Sequence, residues 1–433
     1  MKGFIGKAHK LFNADLAGPP RPPSAMTNPK VASMPKTSTS IAPSSTVGFS
    51  GMSSESDLKS TIEDPSSLDI LRYRYHHATN LGSVYVLERW LSPSRFPTGC
   101  KGTSELEAVK AWVAKTGVDE TKKLFEAAWE GAVLDEDILW LRTEAKGTTV
   151  RLPIGYWNLP GEEFTKDTPF EPFSHVYSTA WSSICKLISR LRAHNIGVLL
   201  DFHGVPGGAN IKDHSGTNSG TAAFFTLAFN RQLGIRCAEF VARESAAGLD
   251  LVGLSLVNEP DRKSETLYEW YDEAIEAVSK IDSNLPIIVS DAWDLKRAIR
   301  YSLKKNAAFP KQTINPIIID THIKFTELDG KEGSVTDRGA VQVIVGEYST
   351  VLSDDTWVKH SDASKEKEEL VKIFGAEQSL RYQQRTGGAF FWTWKMEWMP
   401  GGEWGFQAQS DPSNRFIFPR RIPSSPSRIF LAC

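Results

Sequence analysis

Disulfides, membrane spans and an excess of charge are all missing from this sequence. Its four cysteines, at 100, 185, 237 and 433, have no framework spacing, which argues against a small cross-linked secreted fold. No stretch approaches the roughly 18 apolar residues of a spanning helix, and no Asn-x-Ser/Thr glycosylation acceptor occurs. Fifty basic residues against 52 acidic ones leave a net charge of -2, so nothing electrostatic recommends nucleic acid or an anionic membrane as a partner. The opening stretch, MKGFIGKAHKLFNADLAG, carries three lysines on a weak amphipathic pattern but lacks the apolar core of about 7–15 residues that a secretory signal needs. It predicts an intracellular, cytoplasmic protein, with a mitochondrial presequence as the alternative.

What the chain does contain is tryptophan, thirteen of them; most must be core, but the flat apolar ring with one N–H also suits stacking on a sugar. Residues 1–67 include PPRPPSAMTNP and PKTSTSIAPSSTVG, a composition that predicts disorder because too little apolar surface is present to offset the ordering entropy. Beyond it, eight apolar runs of strand length recur, at 78–88, 148–157, 196–204, 251–260, 285–293, 315–322, 341–349 and 387–395. Helical patterns separate most of them, such as 177–195 and 221–245. Strands without polar alternation are buried on both faces, so the pattern predicts a (β/α)8 barrel over 68–405. The sixth connection, HIKFTELDGKEGSVTDRGA, and the Pro/Ser-rich basic tail at 406–433 have no convincing helix. Helix six and the final helix are therefore expected to be reduced or missing.

In such a barrel the chemistry sits at the C-terminal ends of the strands. Reading the last residues of each run gives Glu88, Arg151 within its strand, His203, Asn258 with Glu259, His322, Glu347 and Trp392. Any one of these alone is more often a cap or a salt bridge, but their recurrence at one rim is not. Glu259 and Glu347 would face each other across the mouth, as retaining glycoside hydrolysis requires of its two carboxylates. Arg151 would hold the nucleophile ionised while burial or a neighbouring charge raised the acid. Asn258, beside the acid, would bond a sugar 2-hydroxyl. The alternative is a buried Arg151–Glu347 ion pair with Glu259 as a helix cap.

The segments LSLVNEP, VIVGEYS, VRLPIGYW, LLDFHGVPGGANIKDHSG, FFWTWKME and NLGSVYVLERWLSPSRF, in that family's order along roughly residues 80–404, resemble the fungal exo-β-1,3-glucanase (glucan 1,3-β-glucosidase) branch of glycoside hydrolase family 5. The resemblance implies a retaining, exo-acting hydrolase of β-1,3-glucan or related β-glucosides. It implies Glu259 as acid/base and Glu347 as nucleophile. Arg151 and His203 would surround the nucleophile and sugar, Asn258 would contact the 2-hydroxyl, and His322 would stand near the catalytic pair. Trp392 would be the platform under the sugar, and Glu88 would bind the terminal sugar's hydroxyls. No metal or organic cofactor is implied. Lys324 departs from the family, which usually has tyrosine there. An intracellular member would meet cytosolic glucosides rather than wall polymer, with steryl or ceramide glucosides suggested only by relatives. Asn210, Asp213 and His214 would line the mouth and set that choice. The competing reading is a catalytically degenerate glycan-binding or poorly folded member of the family.

Overall fold

The computed structural model describes residues 64–262, 264–307, 315–322, 342–352, 357–358, 367–397 and 403–406. The chain divides into two compact units, residues 66–352 with 362–433 and residues 1–65 with 353–361. The first holds the barrel, and almost all of the second lies outside the described residues. So do the sixth connection with Lys324, the tail from 407, and nearly all of the Pro/Ser/Thr-rich segment. Among the described residues, no helix is long and apolar enough to cross a membrane.

Eight parallel strands close into a barrel in chain order: β1 (His76–Asn80), β2 (Thr149–Gly155), β3 (Gly197–Gly204), β4 (Leu251–Ser255), β5 (Ile287–Ser290), β6 (Ile317–Thr321), β7 (Val343–Tyr348) and β8 (Gly388–Phe391). Closure runs through the β1–β8 ladder, with His76 opposite Gly388 and Thr79 opposite Phe391. The helices pack one apolar stripe on the outside. In Leu267–Ser279, for example, Leu267, Trp270, Tyr271, Ala274, Ile275 and Val278 are buried, the i, i+3, i+4 pattern of an amphipathic helix. Asp294 caps Leu295–Asn306 by accepting from Arg297 N at 3.0 Å.

Inside the barrel, the period-two alternation of strands stacks the residues in layers. At the bottom, Ala78, Leu199, Val252, Ile288, Ile318, Ile344 and Phe390 form one cluster with Leu71, which belongs to the helix Ser67–Tyr73. Two residues further along the same strand faces come Asn80, Asp201, Asp320 and Trp392, and two further still His203 and His322. The interior is thus apolar at its base and polar at its mouth.

Two expectations are corrected. Of the first run only 78–80 is strand, within His76–Asn80; after Leu81 the chain leaves the sheet, and backbone N–H groups there are taken by side chains, Gly82 to Thr393 Oγ1 and Leu87 to Glu105 Oε2. Val84, Tyr85, Val86 and Leu87 are buried all the same, because a loop can bury apolar residues when side chains satisfy its amides. Glu88 accordingly sits in this loop, not at a strand end. Likewise the helix after β3 begins at Ala228, since Ala223 N and Phe224 N are drawn to the carbonyls of Gly207 and Gly208.

Candidate active site

Arg151 is wholly buried at the centre of the polar layer. A guanidinium there needs several acceptors to replace its water. Its Nη1 donates to Asn80 Oδ1 at 3.0 Å and to Glu347 Oε1 at 2.8 Å, and its Nη2 to Asn258 Oδ1 at 2.8 Å. Asp201 Oδ1 lies 3.0 Å and Asp320 Oδ2 3.8 Å from Nη2. One cation therefore ties together side chains from β1, β2, β3, β6, β7 and the turn after β4.

Above it stand two histidines, each beside a buried aspartate. His203 Nδ1 is 2.8 Å from Asp201 Oδ2, and His322 Nε2 is 3.6 Å from Asp320 Oδ2. His322 Nδ1 is 2.9 Å from Glu259 Oε1 and 3.8 Å from Glu347 Oε2. Donor atoms of Glu259, His322 and Glu347 all lie within 4.8 Å of one another, a spacing that a cation could bridge; the 2.9 Å contact is a hydrogen-bond distance. Glu259 is buried with φ of +41°, a left-handed turn that aims its side chain back over the barrel. Its carboxylate caps no helix, because the next one starts at Leu267 behind Thr266, so the helix-cap alternative fails. The Arg151–Glu347 ion pair of that alternative is present, as part of the cluster.

The charges settle differently from the sequence expectation. Burial pushes the Glu259 carboxyl up, but the His322 hydrogen bond and the charges of Lys212 and His322 outweigh it and hold the group well below the usual carboxylate range. At Glu347 burial wins: with the like charge of Glu259 it raises the carboxyl, against His322 and Arg151. Burial would lower His322, yet the nearby charges of Glu347 and Asp320 and its hydrogen bond to Glu259 hold it well above the usual imidazole value. His322 Nδ1–H thus donates to the Glu259 carboxylate at Oε1.

Trp392 is buried and parallel to His203, ring centroids 5.6 Å apart at 8°. Its other neighbours are Leu91 and Met396, with Trp90 and Trp404 packed alongside. Glu88 is buried too, accepts from Trp90 Nε1 at 2.8 Å, and is pushed up to about 8 by burial, with His203 opposing. Arg89 is not its counter-ion; that side chain donates to the carbonyls of Cys100 and Gly102. Asn210 Nδ2 donates to the Glu259 carbonyl at 2.9 Å, and Asp213 with His214 forms the short turn Asp213–Ser215 beside it. Three polar residues beneath the site were not anticipated: Asn80, Asp201 and Asp320. The signal was available for Asp201 and Asp320, which interrupt apolar strand runs, but not for Asn80, which ends the largely polar strand His76–Asn80.

The model of the family "Cellulase (glycosyl hydrolase family 5)" matches residues 108–397. Glucan 1,3-beta-glucosidase 3 of Schizosaccharomyces pombe is 32% identical over 357 residues, spanning 78% of this chain and 73% of that protein. An uncharacterized glycosyl hydrolase of Saccharomyces cerevisiae is 30% identical over 372 residues, 80% and 72% of the two chains. Among solved structures, the rutinosidase from Aspergillus niger superposes with a TM-score of 0.59 at 15% identity, covering 79% of this chain and 98% of its own, a likeness of fold. With its closed barrel, its close carboxylate pair and these matches along most of its length, the chain belongs to glycosyl hydrolase family 5 and is a glycosidase.

Proposed function

We propose that this protein is a retaining, exo-acting β-glucosidase of β-1,3-glucan or a related β-glucoside, with Glu347 as nucleophile and Glu259 as acid/base. One observation carries the reading: oxygens of the two carboxylates lie within 4.8 Å of each other. Retaining enzymes hold the pair at about 5–5.5 Å, whereas inverting ones leave about 6.5–9.5 Å for a water. The relatives' name, glucan 1,3-beta-glucosidase, supports the substrate class.

Glu347 attacks the anomeric carbon as the glycosidic C–O bond breaks, and Glu259 gives its proton to the departing oxygen. That proton starts one hydrogen bond away, on His322 Nδ1, 2.9 Å from Glu259 Oε1; its transfer makes Glu259 the acid and leaves His322 neutral. When Glu347 becomes an ester its charge is gone, so its neighbour loses a like charge and its carboxylate is favoured as base. Glu259 then takes a proton from water, whose oxygen displaces Glu347 and restores the β configuration. Arg151 steadies Glu347 when it leaves as carboxylate. Asn258, already fixed through its Oδ1, is set to meet the sugar 2-hydroxyl, and Trp392 with His203 forms a flat wall for the ring. Glu88, in the loop after β1 and within the influence of His203 and Glu347, would bind the terminal sugar and so limit attack to chain ends.

The test follows the anomeric configuration by proton NMR during hydrolysis of 4-nitrophenyl β-D-glucoside and a laminarin-type oligosaccharide. β-Glucose as first product, released one unit at a time, is expected; α-glucose first would overturn the reading.

A further inference from the structure

The loop after β3 grips Glu259 twice. Asn210 Nδ2 holds its carbonyl at 2.9 Å, and Asn210 Oδ1 in turn accepts from Lys212 N at 2.9 Å and Ser215 Oγ at 3.0 Å. The same loop delivers His214, which is buried, with Nδ1 3.3 Å from His203 Nε2 and Nε2 3.6 Å from Glu259 Oε2. His214 Nε2 is enclosed and makes no hydrogen bond. A buried ring nitrogen without a hydrogen bond is costly, and the nearest carboxylate oxygen is the one that His322 does not occupy.

We propose that His214 is a positioning residue for Glu259, donating Nε2–H to Oε2 while Glu259 is a carboxylate, so that His322 and His214 each hold one oxygen of the base. The inference rests on the acid/base reading of Glu259. The order that places this proton has His203 doubly protonated, as the adjacent Asp201 carboxylate favours: Nδ1–H donates to Asp201, Nε2–H faces His214 Nδ1 at 3.3 Å instead of accepting from Asn258 Nδ2 at 3.4 Å, and the His214 proton is then on Nε2. Burial keeps His214 itself neutral, down to about 3, despite the charge of Glu259, so it serves as a donor without adding a cation. The titratable groups facing it are His203 on β3, Glu259 after β4, His322 after β6 and Lys212 in its own loop, whose Nζ is 3.7 Å from the same Oε2. A contact of 3.6 Å is long, and catalytic hydrogen bonds commonly tighten only when substrate closes the site.

The experiment compares pH profiles of kcat/KM for 4-nitrophenyl β-D-glucoside. Losing a donor to the carboxylate strengthens proton binding by the Glu259–His322 pair, so His214→Ala should move the basic limb up by about half a pH unit or more and lower kcat about tenfold, the loss typical of a hydrogen bond to a charged group. His214→Gln, whose amide reaches as far as Nε2, should return the limb towards its original place. A residue that only packs would lower the rate and leave the limb where it was, and that result overturns the proposal. A limb moved equally by Gln and Ala also overturns it. Should His214→Ala fail to give a cooperative thermal transition, His214→Asn, one bond too short for Oε2, takes its place against Gln with the same expected shift. Glu259→Gln separates the two readings. If the basic limb persists there, the acid/base role of Glu259 is wrong; if it vanishes there but stays fixed in His214→Ala, only the role of His214 is wrong.

Discussion

Arg151 Nη1 donates to Glu347 Oε1 at 2.8 Å in a place where the arginine side chain has no exposed surface and the glutamate side chain 14%. The same guanidinium serves Asn80 and Asn258, with Asp201 at 3.0 Å, so stability and chemistry depend on one group.

Arg151→Met should therefore destabilise the fold by about 3–5 kcal/mol, because it strands buried carboxylates without a counter-charge. Arg151→Lys keeps the charge but not the fork that reaches these acceptors; it should stay folded with kcat/KM down at least about a hundredfold, a loss like that of one preorganised donor at a reaction centre. Urea unfolding and steady-state kinetics read the two effects separately. An active Lys variant would show that only the charge matters.

Azide should distinguish the two proposed carboxylate roles. Glu347→Ala removes the nucleophile, so azide attacks the β-glucoside directly and gives α-glucosyl azide by one inversion. Glu259→Ala still forms the glycosyl-enzyme from a substrate with a good leaving group, and azide then gives β-glucosyl azide by two. NMR of the products reads the assignment, and the opposite pairing would exchange the roles.

At Glu88 the pH dependence of stability has a definite sign. Burial pushes its carboxyl up to about 8, against an unfolded value near 4.3. Between these values the folded chain binds a proton that the unfolded chain has lost, so stability contributed by this group is complete below the lower value and is lost as pH rises through the upper one. Glu88→Gln cannot ionise. Its melting temperature should fall less than that of the parent between pH 5 and pH 8, and its KM for oligosaccharides should rise.

Gly346 sits where no side chain fits. A Cβ there would lie 2.1 Å from Asp320 Oδ1, the oxygen that accepts from Gly346 N at 2.8 Å. Gly346→Ala should cost about 1–3 kcal/mol, as overpacking does, and should lower kcat because Glu347 is the next residue on β7. Calorimetry alongside kinetics checks both; an unchanged melting temperature would mean that Asp320 moves aside freely.

Much of this was legible along the chain. Runs such as IGVLLDFHG and NPIIIDTH are apolar on alternate residues facing the helices and equally apolar at the barrel base, so strand identity and barrel class follow from double burial. The polar residues that end those runs are at the mouth because a parallel barrel points all its strands the same way. Less legible was the run 78–88, in which burial without sheet pairing beyond Asn80 imitates a longer strand. Asp201 and Asp320 were visible as interruptions, but nothing local says that they underpin histidines two residues on.

What the sequence determined by itself is therefore the strand set, the closed barrel it implies, and the identity of the residues at its rim, since each depends on local periodicity and chain direction. The tertiary structure decided who meets whom and who holds the proton. Glu259 and His322 are 63 positions apart and Asn210 and Glu259 49, and their contacts exist only because three βα loops converge. Desolvation inside that convergence, set against the charges of His322 and Arg151, fixes the proton on His322 and raises Glu347 above Glu259, an order that no linear pattern encodes because burial and distance are properties of the fold.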